Sequence, residues 1–199
     1  MKYVFLFSVT LVLSACKPHD PDLEKSIFRP DPAYPELPQY SEWGYNTFGA
    51  FYDRQAFVFI NNEIPIRVLQ DTVTSFVFSG RKGNSYSYYY GGPKFSVTFK
   101  FGGLNPLTFE DLVSLDQVTM DLTSSDSKVE VNDITVQTVK VLAGTFRVNR
   151  AQRLFVDDKL EEVILSGEFE FQGLIDNVPV SVSNGRFDVG INSGNFFRY

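Results

Sequence analysis

Residues 165–171 read Leu165-Ser166-Gly167-Glu168-Phe169-Glu170-Phe171. Apolar or small residues hold the odd positions and polar ones the even. Successive side chains of a strand point to opposite faces, so such a run buries one face and wets the other. The same period of two recurs along the chain. Phe95, Val97, Phe99 and Phe101 alternate with Ser96, Thr98 and Lys100; Val118, Met120 and Leu122 with Thr119, Asp121 and Thr123. Phe146 and Val148 alternate with Thr145, Arg147 and Asn149, and Phe187, Val189 and Ile191 with Arg186, Asp188 and Gly190. One-sided alternation is the pattern of antiparallel sheet.

Turn signals separate these runs: Asn61-Asn62, Gly83-Asn84, Gly91-Gly92-Pro93, Gly102-Gly103, Asp157-Asp158, Asp176-Asn177 and Asn184-Gly185. Asn184-Gly185 is expected to be a hairpin turn, because Asn and Gly tolerate positive φ at little cost. The predicted strands are 47–52, 56–60, 64–70, 74–79, 85–90, 94–101, 116–123, 128–136, 139–149, 152–156, 162–174, 178–183 and 186–192. Residues 108–115 differ. They follow Pro106, and Asp111 stands three positions after Thr108, as in a capping box, which predicts a short helix crossing between sheets. Many short strands and one short helix predict an all-β domain over residues 45–199. An antiparallel β-sandwich is expected, with a lipocalin-like barrel as the alternative.

The composition narrows the function classes. Aromatic residues make up 16 % of the 199, too many for a disordered chain. One cysteine excludes an intrachain disulfide, an iron–sulfur cluster and a cysteine zinc site. One histidine excludes a multi-histidine metal centre, and no cofactor is expected. A net charge of −6 argues against a nucleic-acid partner, whose phosphates it would repel.

The N-terminus reads as an address. Lys2 is a minimal positive region, and residues 3–13 form an apolar run too short to span a bilayer. The run closes on Leu13-Ser14-Ala15-Cys16, which resembles the bacterial lipoprotein signal: an apolar residue, two small ones, then the cysteine that is modified. The resemblance implies that residues 1–15 are a signal peptide, cleaved before Cys16, and that Cys16 carries acyl chains such as palmitate. At ~0.8 kcal/mol per buried methylene, two or three chains anchor a protein permanently. The expected location is the bacterial cell envelope, as an outer-membrane lipoprotein facing the periplasm or the cell surface.

Residues 16–44 hold the anchor and a tether. Pro18, Pro21, Pro30, Pro32, Pro35 and Pro38 lie here, six of the ten prolines. That density excludes helix and sheet interior and favours a semi-rigid extended spacer. Ile27, Phe28, Tyr34 and Trp43 suggest that part of it packs back, with order expected from about residue 40.

Three stretches are similar to a family of small Bacteroidetes-type lipoproteins of unknown function. They are residues 44–51 (GYNTFGAF), 166–171 (SGEFEF) and 183–189 (SNGRFDV). The chain departs from that family at Arg54-Gln55-Ala56-Phe57, where a glycine and a tryptophan are usual. The resemblance implies an anchored, mostly β domain. It carries over no catalytic residue.

Candidate chemistry is sparse. His19 lies in the tether without a positioned partner, which leaves a Ser-His-Asp or Cys-His site without a base. Glu168, Glu170 and Asp188 are expected on the wet faces of strands, where acids solvate more often than they catalyse. The acidic turn at residues 157–162 matches no calcium loop. Gly102-Gly103 precedes no phosphate-loop lysine and reads as a turn. The best binding candidates are Tyr86, Tyr88 and Tyr90, which share one face at period two and could stack on sugar rings or a partner protein. Trp43, beside Tyr45 at the start of the domain, is a further candidate.

The sequence therefore points to a membrane-anchored, non-catalytic binding or assembly module whose ligand is a glycan or an envelope protein. The alternatives are a structural pilus-like or surface subunit, a carboxylate-only hydrolase, and a carrier of an apolar ligand.

Overall fold

In a computed structural model of the chain, residues 26–59, 65–83 and 93–199 are described. Eleven strands form one sheet: β1 (Thr47–Tyr52), β2 (Gln55–Val58), β3 (Ile66–Gln70), β4 (Thr74–Gly83), β5 (Lys94–Phe101), β6 (Thr119–Asp121), β7 (Ser127–Asn132), β8 (Val136–Val156), β9 (Lys159–Ile175), β10 (Val178–Ile191) and β11 (Phe196–Arg198). A 3-10 helix, Phe109–Leu115, separates β5 from β6. Among the described residues strand makes up 62 % and helix 4 %, so the fold is all-β, as the alternation requires.

The pairing closes on itself. The order β4-β2-β1-β10-β9-β8-β7-β5 returns to β4 through the β4–β5 ladder, a ring of eight strands joined antiparallel throughout. Of the sandwich and barrel arrangements open to this sequence, the strand ladder describes a barrel-like closure. An eight-stranded barrel is just wide enough for side chains to fill. Here the filler is phenylalanine. Phe99 is fully buried, and its ring centroid lies 4.9 Å from Phe146 and 5.0 Å from Phe169. Phe146 stacks on Phe187 at 5.2 Å, and Phe78 meets Phe169 and Phe187 at 5.5 and 5.4 Å. Phe57 extends the array, touching Phe48 at 5.0 Å and Phe95 at 4.9 Å.

Such bulk needs relief in the wall. At Gly167 of β9, a Cβ would lie 2.0 Å from the Arg147 carbonyl oxygen and 2.7 Å from the Phe187 ring. The missing side chain lets β8 approach and the ring cover the gap. The 3-10 helix sends Leu112 and Leu115 into the same core. Asp111 accepts hydrogen bonds from the backbone N–H groups of Thr108 and Leu107, 2.9 and 2.8 Å, as the capping pattern requires.

Two local expectations need correction. Asn184-Gly185 is a bulge inside β10, between Val182 and Gly185, and the strand continues through it. Asn184 does adopt the left-handed conformation, at φ 53°. Gly185 lies against β9, where a Cβ would be 2.2 Å from the Phe169 carbonyl oxygen. The strands expected at 139–149 and 152–156 are one strand, β8, bent by bulges at Val148/Arg150 and Leu154/Phe155. The tight turns at Asp157-Asp158 and Asp176-Asn177 are as expected, with both residues of each at positive φ.

Residues 26–44, expected as tether, lie on the outside of the barrel. Leu37 is fully buried on the outward side chains of Ala56 and Val58. Pro38 rests on Gly49, where a Cβ would meet its Cδ at 2.5 Å. Proline suits a strap of this kind. It makes few ladder bonds, and its fixed φ lowers the entropy lost on ordering.

Replacing Phe99 with alanine removes the ring at the centre of this array and should cost about 3–5 kcal/mol. Urea unfolding measures it, and a loss below about 1 kcal/mol would mean that the interior is not packed as described.

Candidate functional site

The strap builds the most structured polar site. Asp188 lies on the outward face of β10, as its alternation with Phe187 and Val189 dictates, yet it is only 1 % exposed. The strap covers it, so the wet-face expectation fails for this acid. Its carboxylate accepts five hydrogen bonds. They come from the backbone N–H groups of Trp43 (3.1 Å), Gly44 (2.8 Å) and Tyr45 (3.1 Å), and from the hydroxyls of Ser166 (2.9 Å) and Ser41. Gly44 has φ 75°, which turns consecutive N–H groups toward one acceptor.

Further contacts carry the strap across β8 to β10. Gln152 donates to the Glu42 carbonyl at 2.7 Å, and Asn149 donates to the Tyr40 hydroxyl at 3.2 Å. Arg186 pairs with Asp31 at 2.6 Å. Burial raises the Asp31 carboxyl, but N–H donors at Ala33 and Tyr34 and the Arg186 cation outweigh it, leaving the group below its ordinary value. Burial pushes the Tyr40 phenol up to about 12; the Asn149 hydrogen bond opposes this, and the carboxylates of Glu42 and Glu168 add to it.

Below the clasp, the bulge in β10 opens a cleft of about 300 Å³ lined by Arg147, Glu168, Glu170, Asn184 and Arg186. The ladder sets Glu168 opposite Arg147 on one side and Arg186 on the other. Glu168 and Glu170 thus share the outer surface expected of them, while Asp188 is withdrawn from it. Alternating cations and carboxylates can hydrogen-bond the hydroxyls of a polar ligand.

Trp43 is 75 % exposed, so its indole stands in solvent while its backbone is held by Asp188. Cys16, His19, Tyr86, Tyr88 and Tyr90 lie outside the described residues. The strands flanking the tyrosine run, β4 and β5, pair up to Arg81 and Lys94 at the end of the barrel that also carries the β7–β8 and β9–β10 turns. The strap had no motif to announce it. Its traces in the sequence are Ile27, Phe28, Tyr34 and Trp43 among the prolines and the unbroken apolar runs Ala56-Phe57-Val58-Phe59 and Val163-Ile164-Leu165, whose two faces both need cover.

No family model, curated protein or solved structure matches this chain.

Two outcomes follow from the clasp. Asp188→Asn puts an amide N–H₂ among donors and should lower stability by about 3 kcal/mol, read by thermal or urea unfolding. A neutral substitution contradicts the clasp. Because the Asp31 carboxyl is lowered on folding, its contribution is present above its ordinary value of 3.8 and lost as pH falls through the folded value. Asp31→Asn should therefore flatten the acid limb of the stability profile. An unchanged limb would place the acid sensitivity elsewhere.

Proposed function

We propose that this chain is a lipid-anchored protein of the bacterial cell envelope, similar to the small Bacteroidetes-type lipoproteins, and that its barrel is a non-catalytic binding or assembly module. The observation that carries the reading is the placement of the one cysteine directly after an apolar run and Leu13-Ser14-Ala15. Two features of the fold support it. The aromatic array fills the interior, which favours a ligand on the outer surface or the ends over one carried inside. The strap also joins the N-terminal side of the domain to the barrel wall, so an anchor at Cys16 would act on the folded barrel through residues 17–25. A glycan or an envelope protein is the ligand class, met by the tyrosine run between β4 and β5.

The experiment has two arms. Cells fed labelled palmitate should incorporate it into the wild-type chain and not into Cys16→Ala. A mature product that retains residues 1–15 contradicts the anchor. Purified wild type and the Tyr88→Ala/Tyr90→Ala double variant, matched in melting temperature, are then compared for retention on immobilised envelope glycan and on envelope protein extract. Selective loss by the variant supports the tyrosine face; equal retention refutes it.

A further inference from the structure

We propose that the end of the barrel receiving the chain from Cys16 is a second membrane contact, in which the β8–β9 tip and the Trp43 indole rest in the interfacial layer of a phospholipid bilayer. The inference rests on the reading of Cys16 as lipidated and adds a surface that this reading does not require.

The position of the chain argues for it. The backbone N–H of Ile27 donates to the Tyr45 carbonyl at 2.9 Å, so the strap begins beside the place where it ends. Gly44 lies against Ile164 and Glu162 of β9, and Glu42 is held by Gln152 of β8. Both contacts fall at the base of the β8–β9 hairpin. Residues 17–25 are all that separate Cys16 from Ser26. At about 3.5 Å per residue the reach is roughly 35 Å, so the barrel end at Ser26 lies within about one bilayer core thickness of the anchor.

The chemistry of that end agrees. The β10 ladder stops at Ile191 opposite Val163, so residues 154–162 project as a two-stranded ribbon. On this ribbon Leu154, Phe155 and Val156 are 39, 57 and 44 % exposed. Trp43 and Ile27 stand at its base, also exposed. An amphipathic indole with apolar neighbours is the composition that settles at a membrane–water interface. Asp157, Asp158, Glu161 and Glu162 outnumber Arg153 and Lys159 at the tip, so the matching surface is zwitterionic and an anionic one is repelled. The opposite end, with the β4–β5 connection, then faces away from the bilayer.

Trp43 is the chain's one tryptophan, so its fluorescence reports this contact without labelling. The mature lipidated chain, beginning at Cys16, is reconstituted into phosphatidylcholine vesicles, with lipid on Cys16 verified by mass spectrometry. Trp43 emission should shift to the blue relative to Cys16→Ala in buffer, and lipids brominated near the headgroup should quench it about twofold. Leu154→Ser/Phe155→Ser should lose most of that quenching while staying anchored, and adding phosphatidylglycerol should weaken it. A lipidated, vesicle-bound chain whose indole emits as in water and is quenched by iodide overturns this inference and leaves the anchor standing. So does a blue shift that depends on protein concentration and not on lipid, since a second copy would then cover the tip. A Cys16 without lipid overturns both.

Discussion

One buried carboxylate holds the strap to the barrel. Asp188 sits on a strand near the C-terminus, and the backbone groups it binds lie 143 to 145 residues earlier. Each side needs the other. A carboxylate removed from water must find donors, and the N–H groups of Trp43, Gly44 and Tyr45 have no ladder to join. Ser166 on β9 supplies a further donor, so the clasp also crosses between neighbouring strands. At this point Thr47 on β1, Ser166 on β9 and Asp188 on β10 are buried, while Glu168 and Glu170 further along β9 stay exposed. The three stretches first grouped by resemblance, around Thr47, Gly167 and Phe187, are the strands that meet at this point.

Inside the ring the constraint is volume. Eight strands enclose a space that phenylalanine fills, and glycine in the wall makes the rings fit where β8, β9 and β10 run closest. A filled interior moves any binding to the outside. The outer surface offers a charged cleft at the β10 bulge, an exposed tryptophan fixed from behind, and two ends of different character. The strap and the β8–β9 ribbon mark one end; the turns after β1, β7 and β9 mark the other.

The sequence made the inside of the barrel legible and hid the outside. Alternation at Phe95–Phe101 and Leu165–Phe171 identified strands and inward residues, and Thr108 with Asp111 located the helix. Those signals are local, which is why they survive folding. The alternation is compatible with both a sandwich and a closed ring, because pairing between β4 and β5 or β2 and β4 leaves no periodic mark. Asn184-Gly185 read as a turn because a bulge and a hairpin ask for the same left-handed residue. The strap was masked by its prolines, which describe a spacer equally well. Two signals point to packing instead: the apolar residues Ile27, Phe28, Tyr34 and Trp43 among the prolines, and its target, the runs at Ala56 and Val163 with no polar face. Asp188 looked like a solvated acid for the same reason: its cover comes from far away in sequence.

The strap is part of the folded body. Amide hydrogen exchange at Trp43, Gly44 and Tyr45 in the full-length chain tests this directly. These three amides should exchange as slowly as those of β9 and β10, since opening the clasp strands a buried carboxylate. Exchange at the rate of an unstructured linker, with β9 and β10 still protected, would show that the strap is a free tether and that Asp188 does not hold it.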